Sequence, residues 1–414
     1  MAAVPAALLL LATVPSRAVP SFARQTGMEC AGCHVGAFGP QLTPAGIRFK
    51  IGGYTDSDGK AGKLPLSAMM VGSYAHTRAD REPAAEHLKA NDNATLDEAS
   101  VFLAGRLAGQ VGSFVQVTHS GIDHGTVLDQ LDLRWARPVQ WAGKPSLVGV
   151  SVNNNPSVQD PFNTLPAWSF PFFGPEAGFG TGEAASLLDG GLAQRVLGAS
   201  AYAFWDQSVY AELGSYRSLS PSLQRKLGAG EDAQRLGGNA YWRLAYFKDL
   251  KGSSFSLGTF GWHAALRPDR EPGTPADRFK DWGVDAAYQF LGTREHVLTA
   301  SASHLRERRT PGDGGEAATL RQSRLAASYH FRNTWGASVG LFDTRGNDPS
   351  AATNGQLFQL DWTPWGKEDA EPPSFLSLVN LRVGAQYWRY GRFEGERAGA
   401  SAHNTLGLFA WLAL

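Results

Sequence analysis

The sequence predicts an all-β protein, a sixteen-stranded antiparallel β-barrel of the outer-membrane type, preceded by a small N-terminal domain. Three observations support this prediction: apolar and polar residues alternate with a period of two, the candidate strands are even in number, and long connections alternate with short ones. After the N-terminus no apolar run reaches about 18 residues, which excludes membrane-spanning helices. The 414 residues carry 38 basic and 38 acidic side chains, so no basic surface for nucleic acid is indicated.

The first element, residues 1–18, is typical of an export signal peptide. Residues 6–13 are apolar, and Ser16 and Ala18 place small side chains at the two positions that define a cleavage site. No Lys or Arg precedes the apolar stretch, and a buried apolar helix is the alternative. We expect the mature chain to begin near Val19 and to lie outside the cytoplasm.

A Cys-x-x-Cys-His motif follows at Cys30, Cys33 and His34, and these two cysteines are the only ones in the chain. In such a motif the two thiols form thioether bonds with one haem, and the histidine coordinates its iron. A disulfide or a zinc site is the alternative, but zinc needs four ligands and no further Cys or close second His is present. The motif therefore predicts one covalent haem c, with His34 as the metal ligand.

The second axial ligand of this haem is left open by the sequence. The candidates near the motif, or brought there by the fold, are Met28, Lys50, Met69, Met70, His76, His87, His119 and the later histidines. In the first predicted strand the alternation places Met70 on the apolar face and Met69 on the polar face. If the apolar face meets lipid, Met69 points into the lumen and is the better candidate of the two.

The haem segment is expected to cover residues 19–63, which is short for an independent core. It needs support from the haem and from the β domain, which we assign to residues 64–414. We expect the haem segment to plug the lumen of that barrel. Sixteen candidate strands lie near 64–77, 97–109, 110–120, 130–138, 146–153, 191–205, 207–217, 236–247, 253–265, 281–291, 296–305, 320–332, 335–345, 356–363, 377–391 and 403–414.

The connections between these strands alternate between long and short, as in barrels with short periplasmic turns and long external loops. The connection at 364–376 breaks this rule. The alternation within a strand is clearest near residue 285, where Trp282, Val284, Ala286, Tyr288 and Phe290 oppose Asp281, Gly283, Asp285 and Gln289. A soluble all-β protein is the alternative, and it would turn the apolar face inward.

The longest connection, residues 154–190, is rich in Asn, Pro and aromatic residues. One interpretation is a loop folded into the barrel, where it covers the haem or narrows the pore. The other is an external loop that packs on itself.

The run from Pro20 to His34, followed by Leu42-Thr43-Pro44 and by Phe49 to Tyr54, resembles the fused monohaem cytochrome–porins, outer-membrane c-type cytochromes of the iron-oxidising type. The resemblance implies electron transfer across the outer membrane of a Gram-negative bacterium, from an extracellular donor such as Fe(II) to a periplasmic carrier such as a soluble cytochrome. It assigns Cys30 and Cys33 to haem attachment and His34 to the iron.

Two other functions remain open at this point. One is a porin-like channel in which the haem segment is a plug or a sensor. The other is an electron conduit with a different donor or direction. Catalysis by a hydrolase or transferase is not indicated, because no Ser/His/Asp set or carboxylate pair is tied to a pocket.

Overall fold

The computed structural model describes residues 20–60, 62–81, 83–178, 182–271, 273–366 and 379–414. The predicted export signal lies outside these residues. Within them, no helix is both long enough and apolar enough to cross a membrane.

Sixteen strands form one closed sheet. They are β1 (Leu66–Thr77), β2 (Asn93–Ala108), β3 (Val111–His119), β4 (Thr126–Trp141), β5 (Lys144–Asn153), β6 (Val196–Trp205), β7 (Val209–Ser218), β8 (Arg235–Leu250), β9 (Ser253–Arg267), β10 (Asp277–Phe290), β11 (His296–Thr310), β12 (Ala318–Phe331), β13 (Trp335–Gly346), β14 (Thr353–Trp362), β15 (Asn380–Arg392) and β16 (Thr405–Ala413). Each strand pairs with its neighbours in sequence, and β16 pairs antiparallel with β1. The predicted sixteen-stranded antiparallel barrel is confirmed.

The barrel is apolar on its outer face and polar on its inner face. On β10, Trp282 is 49% exposed, whereas the adjacent Asp281 is 5% exposed. The same alternation recurs on β14, where Leu360 is exposed and Asp361 is buried. A soluble sandwich would bury the apolar set, so that alternative is wrong.

The strand connections differ at the two ends of the barrel. At one end the turns are short, as at residues 142–143, where Ala142 and Gly143 have φ of 50° and 75°. Positive φ at both central residues is the geometry that suits a two-residue hairpin. The other end carries the long connections, and the one between β14 and β15 is the exception among the short ones.

Residues 20–60 pack against inward-facing side chains of the barrel and carry three α-helices: α1 (Pro20–Thr26), α2 (Cys30–Cys33) and α3 (Pro44–Ile51). Pro44 opens α3, and the Thr43 side chain caps it by accepting from the Gly46 amide. Hydrogen bonds join this segment to inward-facing side chains of the wall. Among them, the Tyr54 hydroxyl donates to Asp132 at 2.6 Å, Gln289 donates to the Leu42 carbonyl at 2.7 Å, and Arg382 donates to the Phe38 carbonyl at 3.2 Å.

The long connection between β5 and β6 also folds into the lumen. Arg243 of β8 pairs with Asp160 of this connection at 3.0 Å and with Asp285 of β10 at 2.8 Å. Leu165, Leu187, Leu188 and Leu192 are buried against inward-facing aromatic residues of the wall. Of the two interpretations of this segment, the structure supports the inward one. A fourth helix, α4 (Pro221–Lys226), lies between β7 and β8.

Candidate cofactor site in the lumen

Cys30, Cys33 and His34 stand together on a single helical turn. The His34 amide donates to the Cys30 carbonyl at 2.8 Å, which brings both cysteines to the same side of the backbone. The two cysteines are not joined in a disulfide, and Asn380 of β15 donates through Nδ2 to Cys30 Sγ at 3.3 Å. Cys30 is buried and Cys33 is half-buried.

Thr43, at the start of α3, forms hydrogen bonds with the backbone of this turn. The Thr43 amide donates to the Cys33 carbonyl at 2.9 Å, and the Thr43 hydroxyl donates to the Gly32 carbonyl at 2.6 Å. A Cβ added at Gly46 would lie 2.4 Å from the Cys33 carbonyl oxygen, so only glycine permits this approach. The motif is thereby fixed in orientation relative to α3.

On its other side the turn after His34 rests on the barrel wall. Arg382 of β15 donates to the Asp361 carboxylate at 3.0 Å and lies 3.2 Å from Nε2 of His330. The His330 ring packs so closely on Gly36 that a Cβ there would be 2.6 Å from it. This cluster holds the turn against β12, β14 and β15.

The surroundings of His34 favour its neutral form. Burial lowers its pKa to about 4, and a contact with the Gly39 backbone acts in the opposite direction. Its Nδ1 is buried and has no hydrogen-bond partner of good geometry among the residues that the structure describes. A neutral imidazole keeps the lone pair that a metal ligand needs. Burial also raises the pKa of the Cys33 thiol, so the thiol form is favoured there.

The motif opens onto a largely apolar cavity between the N-terminal segment, the barrel wall and the long connection. Its lining includes Phe22, Phe38, Leu42, Phe49, Met69, Phe102, Phe114, Trp168, Trp411 and Ala413. Polar groups enter it from Lys50, Glu98, Gln116, Asp129 and Asn163. Such a cavity, apolar with a few polar groups, suits a bound organic group.

The donor set fits a covalent c-type haem. Cys30, Cys33 and His34 all line the same apolar cavity, and burial lowers the pKa of His34. Across the described ranges, no group of three or more His, Cys, Asp or Glu side chains is arranged to hold a metal ion. The zinc alternative of the sequence therefore gains no support.

The structure separates the candidates for the second axial ligand. Met28, Lys50 and Met69 line the cavity, as expected for Met69 from its lumen-facing position on β1. Met70, His76 and His119 are exposed on the outer side of their strands. His87 lies in the connection between β1 and β2. Met69 remains a prediction as ligand.

Several lining residues could not be singled out from the sequence. Asn380 and Trp168 lie more than 100 positions from the motif and reach it only through barrel closure and the inward fold of the long connection. Glu98 faces the lumen beside the buried Asp97, because the strand pairing shifts register between Val71 and Gly72 opposite them. A bulge of this kind breaks the alternation, so the sequence carries no signal for the pair.

No protein-family model and no curated protein matches the chain. Among solved structures it is similar to the outer-membrane protein OmpT of Vibrio cholerae, at 10% identity and a TM-score of 0.44 over 86% of this chain and 99% of that one. It is similar to an anion-selective porin from Comamonas acidovorans, at 13% identity and a TM-score of 0.48 over 84% of this chain and 98% of that one. It is also similar to the outer-membrane channel DcaP of Acinetobacter baumannii, at 12% identity and a TM-score of 0.48 over 85% of this chain and 97% of that one. The likeness concerns the fold alone, a porin-like sixteen-stranded barrel.

Proposed function

We propose that this chain carries a covalent haem c in the lumen of an outer-membrane barrel and transfers single electrons across that membrane. The observation that supports it is the position of Cys30, Cys33 and His34 at one apolar cavity enclosed by a closed barrel. A haem held there would supply a one-electron couple inside the lumen, between the two ends of the barrel.

The outer surface supports the membrane location. Its exposed side chains are large and apolar, among them Leu213, Leu257, Leu360 and Trp335. An apolar surface that covers most of a barrel is unfavourable in water and favourable in contact with lipid. Closure of the sheet leaves no strand edge with unpaired backbone groups in that lipid.

Each residue of the motif has a defined task in this function. Cys30 and Cys33 would attach the prosthetic group, and Asn380 would orient the first of them through its hydrogen bond to Sγ. His34 would hold the iron as a neutral imidazole. The ring of Phe114 contacts Phe102 at 5.7 Å and Trp168 at 6.0 Å between ring centres, and the three rings give the cavity one apolar side.

The cavity lies toward the short-turn end of the barrel, because its lining includes Met69 and Ala413, which pair near the ends of β1 and β16. Exposed Met28 lies at the rim of the same cavity. With the short turns in the periplasm, this end is where a periplasmic carrier such as a soluble cytochrome would take the electron. The extracellular donor, with Fe(II) the first to test, would act from the opposite end.

The test begins with covalent haem. The purified protein is denatured, separated by electrophoresis and stained for haem, and the oxidised native protein is then mixed anaerobically with Fe(II). We expect haem that survives denaturation, absent in Cys30→Ala/Cys33→Ala, and a reduced α-band that develops after mixing. His34→Ala should keep the covalent haem but change its spectrum.

Two results would count against the proposal in different ways. If no covalent haem is found, the cytochrome assignment fails altogether. If dithionite reduces the haem and Fe(II) does not, iron is not the donor, and an electron conduit with another donor or direction remains.

A second candidate function is a porin-like channel that the haem segment plugs or regulates. The sixteen-stranded barrel with a polar inner wall favours it, since barrels of this size enclose aqueous channels in porins. Against an open pore stand the N-terminal segment and the long connection, whose leucines fill part of the lumen. Conductance of the full chain in a planar bilayer separates the two, because a porin-sized conductance requires an open lumen.

A further inference from the structure

Lys50 is an unusual residue of the cavity, a lysine that ends inside the barrel. Its Nζ donates to the Val158 carbonyl at 2.8 Å and to Asn163 Oδ1 at 2.8 Å. It also lies 4.5 Å from the centre of the Trp168 ring. All three partners belong to the long connection, so Lys50 joins α3 of the N-terminal segment to that connection.

Charged groups surround Lys50 on several elements. Arg134 of β4 donates to the Lys50 carbonyl at 3.2 Å. Burial, followed by the charge of Arg134, lowers the pKa of Lys50 to about 7. Asp132 of β4, Asp160 of the long connection and Glu212 of β7 act in the opposite direction. Asp132 and Asp160 are themselves engaged with Arg134 and Arg243. Within the part of the chain that the structure describes, no carboxylate is a hydrogen-bond partner of Lys50.

The hydrogen bonds of Lys50 leave one N–H donor of its ammonium group unused. In its protonated form, which a nearby carboxylate favours, Lys50 has three N–H donors, and the described contacts use two of them. Among the described residues that line the cavity, Lys50 is the one lysine or arginine. A haem carries two carboxylate side chains on its rim, and one of them placed in this cavity requires a cationic or hydrogen-bonding partner.

We propose that Lys50 is a positioning residue that binds a rim carboxylate of the haem through its third N–H. Through Val158, Asn163 and Trp168 the same ammonium group then holds the 158–168 stretch over the haem. The inference rests on the proposed function and extends it, because it assigns the carboxylate-binding group and links cofactor binding to closure of the long connection.

The experiment compares full-length wild type with Lys50→Met, Lys50→Gln and Lys50→Arg, with Lys63→Met as a control that removes a lysine whose partner is Asp58. Four quantities are measured: covalent haem per chain, the haem absorption spectrum, the midpoint potential by anaerobic redox titration, and protease cleavage within residues 157–168. Lys50→Gln keeps a hydrogen-bond donor, so a variant without the charge remains available if Lys50→Met does not fold.

We expect covalent haem to persist in all variants, because Cys30 and Cys33 are intact. The midpoint potential should fall in Lys50→Met and Lys50→Gln, since a nearby cation stabilises the reduced haem. It should stay close to wild type in Lys50→Arg and in the control. Cleavage within 157–168 should increase in the two uncharged variants.

The inference is overturned if the potential of the uncharged variants equals that of wild type while haem is present. It is also overturned if their spectra show a changed axial ligand, because Lys50 would then bind iron rather than a carboxylate. Absence of covalent haem in wild type instead removes the proposed function and the inference together, so the two failures are told apart by the first measurement.

Discussion

At the scale of single residues, the close approach of α3 to the Cys-x-x-Cys-His motif depends on Gly46, which has no side chain. Gly46 has normal helical geometry, so its importance lies in space rather than in backbone freedom. The Cys33 carbonyl occupies the position where a Cβ would stand, and Leu42 lies on the other side at 3.1 Å. A methyl group there must push α3 away from the cysteine that it supports.

We predict that Gly46→Ala lowers the stability of the lumen segment by about 1–3 kcal/mol, the usual cost of overpacking. The displacement should also lower the fraction of chains that acquire covalent haem. Haem stain per unit of folded barrel measures this, and Ala45→Ser in the same helix is the control. An unchanged haem yield and stability in Gly46→Ala would show that α3 does not set the position of the motif.

The sequence identifies residues of this site only where they are contiguous. Cys30, Cys33 and His34 form one local motif, so their grouping needs no knowledge of the fold. Asn163 and Trp168 reach the cavity because the long connection turns inward, and Asn380 because β15 closes beside the segment. No local sequence pattern predicts these long-range contacts.

At the scale of elements, the long connection is held in the lumen by a buried charge network. Arg243 binds Asp160 of the connection and Asp285 of the wall, and all three side chains are fully buried. Asp160 also accepts from the Thr164 and Leu165 amides at 2.8 and 3.0 Å. The carboxylate thus folds the connection locally while the arginine fixes it to β8.

We predict that Arg243→Met detaches this connection from the wall, at a cost of about 3–5 kcal/mol, because two buried carboxylates lose their counter-charge. Limited proteolysis of folded protein should then cut between residues 157 and 192. Arg332→Met is the matched control, since Arg332 pairs with Glu295 on the surface and such pairs contribute about 0–1 kcal/mol. Equal resistance of both variants to protease would contradict the role of Arg243.

The elements themselves were predictable because each strand alternates between lipid-facing and lumen-facing residues. All sixteen predicted strands coincide with observed ones, but several are longer than predicted. β4 begins at Thr126 rather than near 130, since the bulge between its pairs at Gln130 and Leu128 interrupts the alternation. β11 continues to Thr310 through Arg306, Arg308 and Arg309, where neither face is apolar.

At the scale of the whole molecule, the distribution of polar and apolar side chains is the reverse of that in a water-soluble protein. Inward positions carry Asp281, Asp285, Arg134 and Arg243, and these are buried against the lumen segments. Outward positions carry leucine and aromatic side chains. The fold is therefore stable only if the outer face meets a medium less polar than water, and this requirement can be tested by one outward substitution.

Leu213 is the site for that test, since it is 63% exposed and lies in the middle of β7. In a water-soluble protein, Leu213→Arg would change stability by no more than about 0.5 kcal/mol. On a lipid-facing surface near the bilayer midplane, we expect a loss of about 2–4 kcal/mol. Thr126→Arg places the same side chain at the outer end of β4, where the cost should be about 0–1 kcal/mol. Urea unfolding in lipid vesicles gives both values, and equal costs for the two variants would mean that the middle of β7 does not face lipid.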